Sequence, residues 1–421
     1  MNFKNFINFI TESAPAIPLN EGGAAGHTAH IFDDSSMSFG ELKKLLSDIF
    51  TGKIELTEKV DGQNITVTFK DNQIYLSRGV STIKNPMTIE ETVEKFSDRP
   101  QYIQDAFRKS LEVLQKAFRK LPKETTDEIF NNGQNFMSME IVYPPARNTI
   151  YYGDKAMLIP HNISKYDEKG HKISEDPSKA KEIYNILEKA GALNIDEFTI
   201  TKPIAITIND SIKASKNLDA VNKELDKFLK KNKLSDSNTI QDYFKKYWTD
   251  IIETHFGELP EDIFEILVKR YADKIKTPNK TAINKMVVAD KSIDYDKFVE
   301  AFDNIEKNQS TLYGEMIFPL EVIFFKAAAN FLKTLEGFIT ANPDETVSRL
   351  SKELSDTIDA YLGNPDTPEH LLRQIRKVMA IGIDKIVPSE GIVFKYKDKI
   401  IKMTGIFAPA NRILGDAKFK K

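Results

Sequence analysis

Hydrophobic and polar positions alternate in several short runs of this chain, and these runs predict β-strands. The clearest alternation covers residues 65–69, where every second side chain is apolar, as in a strand with one buried face. Other strand-like runs lie at 53–57, 73–76, 136–143, 157–163, 392–395 and 400–404. Because these runs occupy both ends of the chain, they predict a sheet-containing domain made from two separated segments.

The central part of the chain has the periodicity of helices instead. Helical patterns with capping residues cover 178–190, 211–231, 237–255, 260–275, 295–308 and 344–362. One short run within this part, 197–201, is strand-like and is expected to extend the main sheet. The sequence therefore predicts an N-terminal extension with a Gly-rich loop at 1–37, a domain made from 38–163 and 386–421, and a mainly helical insertion at 164–385.

The charge balance and the lack of cysteine narrow the possible functions. The 59 basic and 62 acidic side chains give a formal net charge of −3, so any polynucleotide must bind to a local basic patch. Basic and aromatic residues mix at 227–231 and 245–248, which is typical of solvated helix faces and also of RNA-contact surfaces. The chain contains no cysteine, which excludes disulfides and cysteine-ligated zinc.

No segment of the sequence has the composition of a membrane span. The most apolar stretch, 316–339, contains Pro319, Glu321, Lys326, Lys333 and Glu336, so it is predicted to be a buried helix. Residues 1–12 lack the extended apolar run of a signal peptide. We therefore expect a cytoplasmic protein that does not bind membranes.

The most informative chemistry lies at Lys59, which stands between two strand-like runs in the sequence Lys-Val-Asp-Gly. A lysine held between strands can be desolvated, which lowers its pKa and frees its lone pair for nucleophilic attack. Asp61 and Gly62 predict a tight turn, whose glycine lets the backbone approach a ligand closely. Taken alone, this short pattern favours a hairpin turn with a solvated lysine.

Four further short motifs follow in order and change that interpretation. They are Ser77-Arg78-Gly79, the carboxylate Glu140 inside an apolar run, Glu390-Gly391 leading to Lys395, and Ile401-Lys402. With them, the chain resembles the covalent nucleotidyltransferase superfamily of ATP-dependent DNA ligases, RNA ligases and mRNA capping enzymes. The resemblance implies an α+β fold with an antiparallel-sheet, ATP-grasp-like ligase domain, to which the helical insertion is added.

The resemblance also implies a reaction. In this family a neutral lysine amine attacks the α-phosphorus of ATP and expels pyrophosphate, which leaves a lysine–AMP phosphoramidate. By this resemblance Lys59 is the nucleophile, and Lys395 and Lys402 are fixed cations beside the α-phosphate. Mg²⁺ is expected near the pyrophosphate, with Glu390 as its ligand, directly or through water.

The nucleotide-binding residues follow from the same motifs. Glu140 is expected to accept hydrogen bonds from ribose hydroxyls or to share the metal, and Arg78 is expected to reach ribose or a substrate phosphate. His161 stands where the family usually has an aromatic residue that stacks on adenine, so the adenine contact is left open. The full set is Glu58, Asp61, Gly62, Arg78, Glu140 and His161.

Two departures from the family pattern bear on the substrate. Thr404 occupies a position of the fifth motif where a second lysine is common, so Lys395 is expected to share the α-phosphate contact. Only residues 405–421 follow that motif, too few for the OB barrel of DNA ligases and capping enzymes. Several RNA ligases have no OB domain, so the resemblance favours transfer of AMP to an RNA 5′-phosphate, which a 3′-hydroxyl then attacks.

Other functions are compatible with the same motifs. The chain could be another nucleotidyltransferase, such as a DNA ligase, a capping-like guanylyltransferase or an enzyme that modifies protein. It could also be a polynucleotide-binding virion protein without turnover. The remaining alternative is a helical scaffold protein in which the motifs occur by chance.

The N-terminal extension carries two further features. Residues 3–10 place four apolar side chains on one helical face, similar to the peptides that direct proteins into tailed-phage heads; an amphipathic helix docked on the core is the alternative. The Gly-rich loop at 21–30 carries His27 and His30, which offer two imidazoles to a metal without an evident third ligand. We expect this loop to contact phosphate or substrate through backbone amides, or to cap the helix that begins near Ser38.

Overall fold

The computed structural model describes residues 28–146, 149–273, 278–340, 342–397 and 399–419. Of these described residues, 56% are helical and 18% lie in strands, and the sheets are mainly antiparallel, so the fold is mixed α+β. The predicted α+β class with antiparallel strands is therefore confirmed. The predicted N-terminal helix and His27 lie outside the described residues.

The described residues form the elements that follow. The strands are β1 (Ala29–His30), β2 (Leu56–Lys59), β3 (Gln63–Lys70), β4 (Gln73–Ser77), β5 (Asn135–Val142), β6 (Ala156–Tyr166), β7 (Lys172–Asp176), β8 (Asn194–Ile195), β9 (Phe198–Ile200), β10 (Ala205–Ile208), β11 (Leu335–Glu336), β12 (Gly391–Tyr396) and β13 (Lys399–Met403). The helices are α1 (Phe39–Phe50), α2 (Val80–Lys84), α3 (Ile89–Lys95), α4 (Gln101–Arg119), α5 (Lys123–Phe130), α6 (Ser178–Lys189), α7 (Ser211–Lys231), α8 (Ile240–Phe256), α9 (Glu261–Ala272), α10 (Lys280–Ala289), α11 (Tyr295–Leu332), α12 (Pro343–Leu362), α13 (Glu369–Ile381) and α14 (Phe407–Phe419). Short 3₁₀ helices cover Asn131–Gly133, Pro144–Ala146 and Ile383–Lys385. The predicted helix at 211–231 therefore matches α7 at both ends.

The described chain forms two compact units. One contains His30–Thr51 and Ile212–Ala327 and is built from helices, and the other contains Gly52–Ser211 and the chain from Ala328 onward and holds the sheets. This division differs from the predicted one, in which the insertion ran from 164 to 385. The physical reason is that both ends of the predicted insertion pack with the sheet-bearing unit: β9 pairs with β6, and α12 packs on α14.

The helical unit is held together by aromatic packing. Ser38 caps α1 with its own side chain, and Phe39 follows it into the core. Phe228 of α7 packs against Phe39 and against Tyr243 of α8, with ring centroids 5.8 and 4.8 Å apart. The Tyr243 hydroxyl donates a hydrogen bond to the carbonyl oxygen of Met316 on α11 at 2.7 Å. These contacts fix α1, α7, α8 and α11 to one another.

The predicted helix at 295–308 and much of the predicted buried helix at 316–339 form one element, the 38-residue α11. It continues through Pro319, because the neighbouring Met316 and Leu320 are fully buried and their packing offsets the backbone hydrogen bond that proline removes. Within the described ranges no helix, α11 included, is long and apolar enough to cross a membrane.

The sheet-bearing unit contains two sheets. One has the order β13–β12–β2–β10–β11, with each neighbouring pair antiparallel. The other has the order β4–β3–β5–β6–β9–β8, with β7 also paired to β6, and its pairs are antiparallel except β6–β9. The pairing of β9 confirms the predicted extension of the sheet. The chain passes from one sheet to the other between Lys59 and Gln63, so the predicted nucleophile motif lies at this crossing.

Strand β3 is buried on both faces, not on one as its alternation predicted. Ile65 and Val67 belong to an apolar cluster with Leu114 of α4. Thr66 and Thr68, on the opposite face, are 0% and 1% exposed. The polar face of this strand is therefore covered as well, although polar side chains usually mark the solvent side of a strand.

Gly391 at the start of β12 gives a direct test of this architecture. Its φ is +145°, and a Cβ there would lie 2.2 Å from the carbonyl oxygen of Met403. Gly391→Ala is therefore expected to lower the free energy of unfolding by about 3 kcal/mol or more, through backbone strain and overpacking. The urea midpoint followed by circular dichroism measures this loss.

The matched control is Gly415→Ala, because Gly415 lies inside α14 and a Cβ there meets nothing within 4 Å. This change is expected to leave stability unchanged or to raise it by about 0.5–1 kcal/mol, since alanine favours helix over glycine. Equal urea midpoints for the two alanine variants would contradict the close β12–β13 contact.

Candidate active site

Lys59 is the last residue of β2, so it belongs to a strand rather than to the hairpin turn that its motif suggests. The pairing of β2 with β12 places Lys59 opposite Gly391. The preceding residue, Glu390, forms an ion pair with Lys59, with 2.5 Å between Nζ and Oε1. The two side chains are 24% and 16% exposed, so the pair is largely removed from water. Strand pairing thus joins the first and fourth motifs, which lie at opposite ends of the chain.

Three carboxylates control the protonation of Lys59. Burial alone would lower the pKa of Lys59, but attraction to Glu390, Glu140 and Asp61 more than offsets it and raises the pKa above its usual value. Desolvation therefore acts in the predicted direction, but the pKa is raised overall and not lowered as predicted. Burial also raises the pKa of Glu390 to about 7, although Lys59 opposes that rise. The site holds the lysine charged, so a neutral nucleophile requires a change in this balance of charges.

Asp61 anchors a loop beside Lys59. It is 6% exposed, and its Oδ2 accepts hydrogen bonds from the backbone N–H groups of Thr149 and Ile150 at 2.7 and 2.8 Å. The Asp61 N–H donates to the Tyr152 hydroxyl at 2.7 Å. Burial raises the pKa of Asp61, and the two backbone donors oppose that rise. The carboxylate that was predicted to bind nucleotide is instead engaged by the backbone at 149–150.

Side chains from three other segments hold the same loop, and none of them was predicted from the sequence. Arg349 of α12 donates a hydrogen bond to the carbonyl oxygen of Thr149 at 2.9 Å. The Thr149 hydroxyl donates to Oδ1 of Asn411 at 2.6 Å, and the Thr340 hydroxyl donates to the carbonyl oxygen of Tyr151 at 3.0 Å. Each contact joins residues far apart in the chain, so no local pattern marks them.

Gly62 is required by close packing rather than by backbone strain. A Cβ at this position would lie 2.5 Å from Cγ of Glu140 and 2.6 Å from the carbonyl oxygen of Ile141. Strand β5 therefore approaches the nucleophile motif so closely that only glycine fits. This contact sets Glu140 next to the segment that carries Lys59.

Two further polar side chains lie close to the carboxylate of Glu140 on β5. Asn64, its neighbour on β3, donates from Nδ2 to Oε2 of Glu140 at 3.4 Å. His161 on β6 brings Nε2 to 3.5 Å from the same oxygen. The structure therefore brings together Glu140 and His161, which were predicted from separate motifs, and adds Asn64 to them.

The sheet face that carries Glu140 is polar and buried. Thr66 lies opposite Ser138 in the β3–β5 register, and Ser77 lies opposite Thr66 on the other side. The hydroxyl oxygens of Thr66 and Ser138 are buried and have no hydrogen-bond partner among the described residues. Buried polar groups without partners are costly, so this face is suited to a polar ligand or to water.

Lys395 and Lys402 share a sheet face with Lys59. Gly391 lies opposite Lys59 and Val393 lies opposite Lys402, and directly opposed side chains point to the same face. Lys395, two residues after Val393, points to that face as well. The Cα atoms of Lys59 and Lys402 are separated by two strand spacings and two residues, on the order of 12 Å. Two lysine side chains that reach for one phosphate can span this distance.

Glu58 faces away from this site, contrary to its predicted nucleotide-binding role. Successive strand residues point to opposite faces, and Glu58 is 2% exposed on the far side of β2 from Lys59. Its Oε2 accepts a hydrogen bond from the N–H of Ile339 at 2.9 Å. Burial raises the pKa of Glu58 to about 7 despite this hydrogen bond. Glu58 therefore connects β2 to the segment after β11.

Arg78 lies over two stacked aromatic rings that were not predicted from the sequence. Its Cζ is 5.7 Å from the ring centroid of Phe96 and 5.3 Å from that of Phe107, and the two rings stack with centroids 4.5 Å apart. Burial lowers the pKa of Arg78, whereas attraction to Glu140 raises it. The rings thus hold the guanidinium within electrostatic reach of Glu140.

His30, the described member of the predicted histidine pair, packs against aromatic side chains of the helical unit. Its ring stacks on Phe32 with centroids 5.1 Å apart and meets Phe325 edge-on at 5.3 Å. In the part of the chain that the structure describes, no group of three or more His, Asp or Glu side chains could hold a metal ion. The described residues therefore form no metal site that consists of protein side chains alone.

Comparison with known proteins does not assign this chain to a family. No protein-family model matches this chain, and no curated protein is significantly similar to it in sequence. A functional proposal therefore rests on the geometry of the site and on the resemblance of the short motifs.

Proposed function

We propose that this protein is a nucleotidyltransferase that forms a covalent Lys59–AMP intermediate from ATP and transfers AMP to an RNA 5′-phosphate, as RNA ligases do. The observation that carries the proposal is the pairing of β2 with β12 and β12 with β13. It sets Lys59 against Glu390 and on the same face as Lys402. A solvated turn lysine would have neither neighbour. The two mainly antiparallel sheets support the nucleotidyltransferase fold that the motifs suggest.

The first step needs a neutral Lys59. Its Nζ lone pair attacks the α-phosphorus, and the P–N bond forms as the bond to the β-phosphate oxygen breaks and pyrophosphate leaves. Glu390, 2.5 Å from Nζ, is the base in position to receive the lysine proton. Lys402 and Lys395 provide positive charge on the face where negative charge grows on the phosphoryl oxygens.

The second step regenerates the Lys59 amine, and the third step joins the RNA ends. An oxygen of the RNA 5′-phosphate attacks the adenylyl phosphorus and breaks the P–N bond, which restores the Lys59 amine. A 3′-hydroxyl then attacks the activated 5′-phosphorus, and AMP leaves. Arg78 and the buried hydroxyls of Thr66 and Ser138 offer polar contacts to the nucleotide or to the acceptor phosphate.

The carboxylates fit one Mg²⁺ that is held partly by the substrate. In phosphoryl-transfer sites Mg²⁺ takes one or two carboxylates, and water and phosphate oxygens complete its octahedron. Glu390 and Glu140, both coupled to Lys59, supply that number. When bound, the ion would add positive charge beside the phosphates and offset the carboxylates that keep the pKa of Lys59 high.

Incubation of the purified protein with Mg²⁺ and α-phosphate-labelled ATP, GTP or NAD, followed by denaturing electrophoresis, tests the first step. A covalent band with ATP is expected, stable to alkali and released by acid, as a phosphoramidate is. A stronger band with GTP would assign a capping-like guanylyltransferase instead. Folded, unadenylylated protein that gives no band with any nucleotide would contradict the proposal.

A further inference from the structure

One face of α7 carries a row of lysines. Consecutive helical residues are turned by about 100°, so the positions of six lysines fall within an arc of about 100°. All six are exposed, and we call them the α7 lysine stripe: Lys213, Lys216, Lys223, Lys227, Lys230 and Lys231. Two acidic residues border the arc, one at each edge: Glu224, which pairs with Lys227 at 2.9 Å, and Asp219. Every charged residue inside the arc is a lysine. The stripe is thus almost entirely positive.

The opposite face of α7 is already used for packing. Val221, Leu225 and Phe228 are buried in the helical unit, where Phe228 contacts Phe39 and Tyr243. A helix that binds a membrane surface needs an apolar face to place among the lipids. Since α7 has no such face to offer, the stripe is suited to a charged partner in solution rather than to a bilayer.

Like charges lie next to one another within the stripe. Lys223, Lys227 and Lys231 succeed one another at four-residue spacing, where like charges destabilise a helix by about 0.2–0.5 kcal/mol per pair. The stripe does not reflect a generally basic chain, because the formal net charge is −3. The nearby Asp226 lies off the arc and pairs with Lys43 at 2.6 Å. The positive charge is therefore concentrated on one surface of a chain that is not basic overall.

The dimensions of the stripe match a polyanion. Lys213 and Lys231 are separated by about 27 Å along the helix axis. One strand of duplex DNA places a phosphate about every 3.4 Å of rise, and at a comparable spacing in RNA the stripe can follow on the order of eight phosphates. Lysine contacts phosphate as a point charge without a fixed geometry, which suits binding that does not depend on base sequence.

We propose that the α7 lysine stripe is the docking surface for the phosphate backbone of the RNA acceptor. The inference rests on the proposed function only for the identity of this ligand. Binding is electrostatic, independent of sequence and strongly dependent on salt, because each phosphate that a lysine neutralises releases counterions.

The test replaces Lys216, Lys223 and Lys230 together with glutamine, which keeps side-chain length and favours helix nearly as well as lysine does. Fluorescence anisotropy of a labelled, 5′-phosphorylated single-stranded RNA of about 20 nucleotides measures Kd between about 50 and 200 mM salt. The slope of log Kd against log salt is expected to fall by about 2, and affinity at about 0.1 M salt is expected to fall roughly 100-fold.

The control replaces Lys285, Lys291 and Lys307 with glutamine, a charge change of the same size at exposed positions of the same unit. It is expected to keep the wild-type affinity and slope. The inference is overturned if the stripe variant binds RNA like the wild type, if the control loses as much, or if the wild-type protein binds anionic phosphatidylserine vesicles but not RNA. Labelling with ATP is measured on the same preparations, so failure of the adduct chemistry and failure of RNA docking give different results.

Discussion

Replacing Lys59 with arginine is expected to abolish covalent adduct formation and to leave the protein folded. A guanidinium keeps the positive charge that pairs with Glu390, but it remains protonated at every accessible pH and has no lone pair for attack. We expect adduct formation to fall on the order of 10,000-fold or more, as when a covalent nucleophile is removed. The band formed with α-phosphate-labelled ATP measures this loss.

The matched control is Lys53→Arg, because Lys53 is exposed just before the same strand. This variant is expected to give the wild-type adduct yield. An adduct of normal yield on Lys59→Arg would place the nucleophile elsewhere and would remove the central residue of the proposed site.

Arginine is a better test than alanine because of the charges around Lys59. Lys59→Ala leaves the buried Glu390 without its partner, and the pKa of this carboxyl, already raised to about 7 by burial, rises further. A carboxyl with a raised pKa in the folded state loses stability as pH rises from its unfolded value through its folded value. Lys59→Ala should therefore lose about 2 kcal/mol more than the arginine variant at neutral pH and above.

Part of this site follows from the period of a strand alone. Side chains alternate between the two faces of a strand, so Glu58 and Lys59 cannot both point into one pocket. The sequence alone was therefore enough to exclude Glu58 from the face that carries Lys59. The same rule places Lys395 with Lys402 once β12 and β13 are paired. The first and last residues of helix α7 were predicted correctly because its buried and charged faces are cleanly separated.

The rest depends on contacts between distant segments. Asp61 resembles a ligand-binding carboxylate in sequence, and only the fold shows that the backbone at Thr149 and Ile150 engages it. The rise in the pKa of Lys59 likewise depends on Glu390 and Glu140, which reach it from distant segments, in addition to the neighbouring Asp61. A local sequence pattern indicates that Lys59 is buried, but it does not indicate how many carboxylates surround it. The sequence therefore predicted a lowered pKa for Lys59, whereas the structure gives a raised one.

Replacing Glu390 with glutamine is expected to slow adduct formation and to move its pH dependence to lower pH. Glu390 contributes the largest attraction that raises the pKa of Lys59, so its neutral amide lets that pKa fall. Because only the neutral amine attacks, the rate rises with pH through the pKa of the lysine, and in the variant this rise occurs at lower pH. The change also removes a Mg²⁺ ligand and a base, so the plateau rate should fall roughly 100-fold.

Initial rates of adduct formation from about pH 6 to pH 10, at low and high Mg²⁺, separate these effects, because bound Mg²⁺ is expected to lower the pKa of Lys59 into this range. Glu55→Gln is the control, since Glu55 is exposed just before the same strand and should keep the wild-type profile. A lower plateau that high Mg²⁺ partly restores identifies Glu390 as a metal ligand, and a shifted profile identifies it as the group that keeps Lys59 charged. If neither the plateau nor the profile changed, the ion pair between Lys59 and Glu390 would have no part in the reaction, and the proposed chemistry would lose its main structural support.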